Sequence, residues 1–539
     1  MVQTAIKERR SAPEALRPAA PPPAPPAPAG PSTANLAGPP AASGNWLVPV
    51  IVLVVGNFMA VLDVTIVNVA VPAIQKEFGG SLDDTLWIAT AYTLMLGVVV
   101  PLSGWLGDRF GLKNVYVASL IGFAIGSALC GLAWNLDVLV VFRVLQAIPG
   151  GIMPVVAMTM VFKTVPMNKI GAAMGVFGVG IVFAPAVGPV LGGYLVQYVD
   201  WRLVFYVNVP AGLLGALAAF VILPAVPKLV AKRFDLPGFL CIGLGLFALL
   251  LAVSEGQDWG WTSFPVLMLA AVGVNLMALF VLIELAVKNP LLDIRVFRVL
   301  PFTNSILLLG ILQINLLAIA FYAPVFLQQG QHKEAFDAGL LLLPGAVATG
   351  VLMPMVGRLY DKIGPKLLAT SGMLICGFGT YLMCNITADM TRGDLIFWTC
   401  VRGVGLGLSI MPINTAGLAS LPPAQTNQGS ALINVARQVS GALGLAFFAA
   451  LASMQQAQLF ANRTALIPQS TTPVTSTGEP TLAQVGPLFG RLQQLNAEIQ
   501  ATSYSNIFLI TAVLTASGMF LVLALRAPGK RAPGAVPVE

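Results

Sequence analysis

The amino-acid sequence predicts an all-α integral membrane protein with fourteen transmembrane helices, arranged as two six-helix halves and a two-helix insertion. Three observations carry this reading: the composition, a regular succession of apolar runs, and one loop that occurs twice. Of the 539 residues, 57% are hydrophobic and only 9% are charged, with a mean hydropathy of +0.84. Soluble proteins carry about 25% charged residues, so lipid must be the solvent for most of this chain. That excludes an ordinary cytosolic enzyme, a secreted domain and a nucleic-acid binder. The formal charge of +7 invites an acidic partner. The basic residues, however, fall in short connectors between apolar runs, where membrane topology accounts for them. The five cysteines (Cys130, Cys241, Cys376, Cys384 and Cys400) lie in or beside apolar segments without CxxC spacing and read as small core residues. The one histidine, His332, lies in a polar connector, which leaves no basis for a His-ligated metal or a His-based triad.

Residues 1–45 are rich in Pro, Ala and Ser and predict a disordered tail. No apolar segment adjoins its charges, so it does not read as a cleavable signal. Fourteen apolar runs follow, near 46–71, 85–105, 114–134, 137–162, 171–196, 203–225, 236–254, 262–286, 301–326, 337–357, 366–386, 394–418, 429–453 and 504–526. Each approaches or exceeds the length needed to cross a ~30 Å hydrocarbon layer as a helix. An even number of spans puts both termini on one side. With that side taken as cytoplasmic, it holds 20 Lys and Arg, against six on the other side and three within spans. This asymmetry orients both termini to the cytoplasm. The longest connector, about 454–503, then lies outside, either as a simple loop or, through LFGRLQQLNAEIQ, as an outward helical extension of the last span.

The loop after the second span, Gly104-Trp-Leu-Gly-Asp108-Arg109-Phe-Gly111-Leu-Lys113, recurs after the tenth as Gly357-Arg-Leu-Tyr-Asp361-Lys362-Ile-Gly364-Pro-Lys366, at a constant offset of 253 residues. The matched Gly, Leu, Asp, basic residue, Gly and Lys define two homologous halves. The expected organisation is a first bundle over 46–225, a linker with two extra spans over 226–299, a second bundle over 300–526 and a cytoplasmic tail over 527–539. Parallel six-helix halves facing one another are a transporter architecture, with the substrate route between them.

This loop is the signature of the major facilitator superfamily, and the chain resembles its fourteen-span drug:proton antiporters of the EmrB/QacA type, nearest to the EmrB-like multidrug exporters. The resemblance rests also on Leu62-Asp63-Val-Thr-Ile-Val-Asn-Val-Ala-Val-Pro72, on Trp201-Arg202-Leu-Val-Phe205-Tyr-Val-Asn208-Val-Pro210-Ala-Gly212, and on Asn289-Pro290-Leu-Leu-Asp293-Ile-Arg295. It implies the major facilitator fold and a multi-pass protein of the cytoplasmic (inner) membrane. It also implies a periplasmic membrane-fusion adaptor and an outer-membrane channel where the host has two membranes. The outer connector is the expected place for such contacts.

Asp63 stands in an apolar span, where carboxylates are costly and mostly functional. Burial disfavours its charge and a nearby cation restores it, so it is a candidate proton carrier; a hydrogen-bonding role at the span end is the plainer reading. Arg143, in the fourth span, comes out at a similar depth, roughly 9–12 Å below the outer surface at 1.5 Å per residue, which makes an ion pair feasible. The resemblance implies a proton-relay motif, R-x-x-Q-G, at Arg143-Val-Leu-Gln146, with Ala147 where Gly is usual. In the fifth span Gly175, Gly188, Pro189, Gly192 and Gly193 resemble an antiporter motif, with Ala184 replacing one Gly. Small residues three or four apart permit close helix packing, and Pro189 removes a backbone bond. Gly104, Asp108, Arg109, Gly111 and Lys113, with Gly357, Asp361, Lys362 and Gly364, are gating candidates, because a carboxylate at a span end can face a neighbouring helix N-terminus. Asn57, Gln146, Gln313, Tyr322 and Asn414 are cavity candidates. Arg402 and Arg437 read as packing or gating, with no chemistry assigned.

The expected function is proton-coupled antiport by alternating access, exporting hydrophobic or amphipathic, often cationic, small molecules, as in multidrug efflux and antibiotic resistance. Protons are the coupling ion and no cofactor or metal is expected. No GxxxxGK[ST] occurs, which argues against direct ATP use. A dedicated exporter of one endogenous metabolite, lipid or siderophore is the alternative, and a non-transporting sensor stands further off. A membrane enzyme or a channel lacks the required residues.

Overall fold

The computed structural model describes residues 45–523 apart from 80, 227–233, 288–289, 332, 334, 388–389, 423–424 and 466–481. Residues 1–44 of the expected N-terminal tail, the tail over 527–539, Asn289 and His332 lie outside the described residues. The described residues contain helices and turns and no strand. The first half comprises α1 (Leu47–Phe78), α2 (Leu82–Val99), α3 (Leu102–Phe110), α4 (Leu112–Gly131), α5 (Leu136–Thr164), α6 (Ile170–Tyr198), α7 (Leu203–Tyr206) and α8 (Asn208–Ile222). The insertion is α9 (Leu236–Trp259) and α10 (Phe264–Ala286). The second half comprises α11 (Leu300–Gln329), α12 (Ala335–Ile363), α13 (Pro365–Leu382), α14 (Arg392–Ala419), α15 (Thr426–Ala465) and α16 (Leu482–Leu523).

Thirteen described helices are long and apolar enough to cross a membrane, and a fourteenth span is the pair α2–α3, bent by 57°. The bend falls at Pro101, which has no N–H to continue the ladder. Local chemistry sets many helix starts. Ser81 and Asp84 form a reciprocal capping box on α2, Asn135 caps α5 and Asp235 caps α9. Gly111 and Gly364, the second glycines of the repeated loop, have φ of 89° and 81° and turn the chain from α3 into α4 and from α12 into α13. Any side chain there would be strained, which is why both copies carry glycine.

Helices α1–α8 pack mainly among themselves, as do α11–α16. The most extensive interface joins the halves: α6 and α12 lie antiparallel, from Gly171 beside Gly357 to Pro189 beside Gly339. Across the other seam, α9 is wedged between α2 and α15, while α10 packs chiefly on α9. Of the two readings of the outer connector, helical extension is the one the structure takes. α15 runs 40 residues and α16 runs 42, about 60 Å each, twice the ~30 Å hydrocarbon thickness. We call the end of the molecule that bears the N-terminus of α1 the N-face.

Candidate functional site

In the first half, Asp63 of α1 is fully buried and its two carboxylate oxygens meet three side-chain donors. Oδ2 accepts from Arg143 Nη1 at 2.5 Å; Oδ1 accepts from Gln146 Nε2 at 3.0 Å and from Asn208 Nδ2 at 2.9 Å. Arg143 is held in turn by the Ile88 carbonyl at 3.3 Å and by Gln146 Oε1 at 2.8 Å, and its guanidinium stacks 3.8 Å from the Tyr92 ring centroid. Asn208 also donates to Ser127 Oγ (3.3 Å), which donates to the Phe205 carbonyl (2.8 Å). One hub therefore ties together α1, α2, α4, α5, α7 and α8. A buried ion pair of this kind is stable only when hydrogen bonds satisfy both charges, and removing one partner strands the other. Chemically, protonation of Asp63 would cancel its charge and release Arg143.

The apolar packing around the hub depends on small residues of α6. A Cβ on Gly188 would overlap Thr65, and one on Gly192 would stand 2.9 Å from Ile66, both on α1 just past Asp63. Gly175 faces the other way, onto the Met353 carbonyl of α12, and Pro189 faces Gly339 of α12. The antiporter-type stripe is thus divided between the Asp63 helix and the partner half. Gly193 is buried beside it.

The repeated loops form two latches at the N-face. Asp361 accepts from the backbone N–H groups of Gly171 (3.1 Å) and Ala172 (3.3 Å), at the start of α6. Asp108 accepts from Asn427 Nδ2, at the start of α15. Each carboxylate crosses to the other half, where the positive end of a helix favours it. Gly357 and Gly104 permit the approach: a Cβ on the former would overlap the Gly171 carbonyl, and on the latter would touch Asn427. Arg109 and Lys362 are exposed and join neither latch, and Lys113 lies 5.5 Å from the Phe220 ring centroid.

The structure places the five cavity candidates in separate surroundings. Gln146 belongs to the hub. Asn57 is buried where α1 meets Gly180. Tyr322 is buried with its ring 5.2 Å from that of Tyr504, in an apolar cluster of the second half. Asn414 is buried within α14. Gln313 accepts from Arg437. Single-helix spacing carries no information about which neighbour a face meets. Sequence reasoning also missed Asn208 and Ser127 as hub members, although an Asn inside the apolar run 203–225 was a visible signal. It missed Asn427 because that residue sits outside the repeated loop.

The second half has its own hub. Asn315 Oδ1 accepts from Arg402 Nε at 3.0 Å, and Asn315 Nδ2 donates to Thr380 Oγ1 and Thr515 Oγ1, both at 3.0 Å. Ser127 and Thr380 stand 253 residues apart, the offset of the repeated loop.

The model of the Major Facilitator Superfamily matches residues 53–445. The chain is 34% identical over 430 residues to the uncharacterized MFS-type transporter YhcA of Bacillus subtilis, covering 80% of this chain and 79% of that one. It is 31% identical over 410 residues to the multidrug export protein EmrB of Haemophilus influenzae, covering 75% and 80%. The solved structure of the proton:xylose symporter XylE superposes with a TM-score of 0.56 at 13% identity, over 88% of this chain and 95% of that one, which shows a shared fold. With its apolar spans, paired halves and repeated loop, the chain belongs to the Major Facilitator Superfamily, as a multi-pass membrane transporter of the EmrB-like drug-exporter group rather than an enzyme.

Proposed function

We propose that the protein is a proton-coupled antiporter that exports hydrophobic or amphipathic drug-like molecules by alternating access across the inner membrane. The observation that carries this reading is the hub, a fully buried carboxylate midway along a membrane-spanning helix, bound by an arginine and two amides. With both termini cytoplasmic, as the basic residues indicate, both latches sit on the cytoplasmic face and hold it closed. Loading Asp63 with a proton from outside removes the charge that binds Arg143, loosens α1 against α5 and α8, and favours opening of the latched face. Discharge of the proton inside restores the pair. Each entering charge contributes about 2.3 kcal/mol per 100 mV of membrane potential. The multidrug relative supports drug-like cargo, and the helical extensions of α15 and α16 are where a periplasmic adaptor would meet the protein. The coupling ion is the proton, with no cofactor.

The test is Asp63→Asn in everted vesicles, with proton release recorded on addition of a hydrophobic dye. The expected result is loss of proton release and a fall in uphill transport of about 100-fold, roughly 2.7 kcal/mol. Coupled transport at the wild-type rate would remove Asp63 as the carrier.

A further inference from the structure

Arg437 of α15 donates from both Nε and Nη2 to Gln313 Oε1 of α11, each at 3.1 Å, and its remaining N–H groups have no described protein acceptor. Arg143 and Arg202 have carboxylate partners; among the described residues Arg437 has none. Its position is deep. Arg437 is twelfth in α15 and Gln313 fourteenth in α11, about 17–20 Å along each helix at 1.5 Å per residue. That depth is near the middle of a ~30 Å hydrocarbon layer.

The pair also lies on the seam between the halves. One turn further along α15, a Cβ on Gly441 would stand 2.7 Å from Leu317, so α11 and α15 close tightly beyond the arginine. The next residue after Arg437, Gln438, donates to the Thr93 carbonyl of α2, in the other half. α3, α5 and α9 take further sides of α15. Yet Arg437 and Gln313 both keep partial exposure. A guanidinium at this depth is too costly to face hydrocarbon, so its exposed edge opens on the route between the halves. The cation is held in place by a neutral amide that fixes its orientation and leaves its charge unspent.

We propose that Arg437, positioned by Gln313, binds an anionic group of the exported molecule, so that the preferred cargo is an acidic amphiphile: an apolar body bearing a carboxylate, phenolate or sulfonate. This rests on the export reading above and replaces its cationic bias. Arg presents a planar fork that suits such groups, and the same charge repels cationic cargo. Arg402 is not the site, because its described bonds go to Asn315 inside the second bundle.

The test uses full-length protein in energised everted vesicles and two dyes with a common ring system: fluorescein, an anion, and tetramethylrhodamine methyl ester, a cation. The wild type is expected to favour fluorescein. Arg437→Gln is expected to raise the KM for fluorescein about tenfold, the loss of one charge-assisted contact, while leaving kcat and the cation's KM unchanged or lowering the latter. Arg437→Lys should recover part of the fluorescein KM. Equal losses for both dyes in Arg437→Gln, or preference of the wild type for the cation, would overturn the inference and leave the export reading standing. Movement of neither dye by the wild type would remove both.

Discussion

Asp63 and Asn315 sit on the first membrane span of their respective halves, and each meets an arginine from the fourth span. Each gathers further polar partners from the third and sixth spans, directly or through one side chain: Ser127 and Asn208 in the first half, Thr380 and Thr515 in the second. The architecture is nearly the same and the chemistry differs by one group, a carboxylate against a carboxamide. A carboxylate can take up a proton and drop its arginine. A carboxamide holds the same geometry at every pH. Under the proposed function, switching belongs to the first half and scaffolding to the second. Among the described residues of the second half, neither Arg402 nor Arg437 has a carboxylate partner.

The largest effect that separates the hubs should come from alanine. Asp63→Ala leaves Arg143 buried without a counter-charge and is expected to cost about 3–5 kcal/mol. Asn315→Ala removes one charge-assisted bond from Arg402 and two neutral bonds, but no counter-charge, and should cost about 1–3 kcal/mol. Denaturant midpoints in detergent measure both, and equal losses would break the comparison. Next in size, Gly111→Ala and Gly364→Ala force a side chain into a positive-φ turn and should each cost about 1–2 kcal/mol. Matching losses by the same measurement would show that the two turns are one structural device used twice, whereas a gap of more than a kilocalorie would set them apart. The smallest effect is expected for Asp361→Asn, which keeps the shape of the latch but drops its charge and one of its two acceptors at the start of α6, worth about 1 kcal/mol at this exposed position. A cysteine at Ala172 should then react several-fold faster with a membrane-impermeant thiol reagent applied to the N-face. An unchanged rate would mean that the α6–α12 packing alone holds that face shut.

Much of this was legible in one dimension. Apolar length marks a span whatever its neighbours, because each helix satisfies its own backbone in lipid. The repeat marked the halves, and with them the two glycine turns and the two latch aspartates. Depth along a helix placed Asp63 level with Arg143, since rise per residue is constant. What stayed hidden were the partners across helices. Asn208 and Ser127 joined the hub, Asn427 met Asp108, Gln146 turned from cavity candidate to hub member, and the α6 glycines divided between α1 and α12. Which face of a helix meets which neighbour follows from how close-packed helices rotate and cross, a property of the whole bundle. A string of residues therefore specified the spans, their pairing into halves and the one acidic group in the middle of the first. Only the packed molecule could assign these polar side chains their partners and leave Arg437 at the seam, held by Gln313, with no carboxylate partner among the described residues.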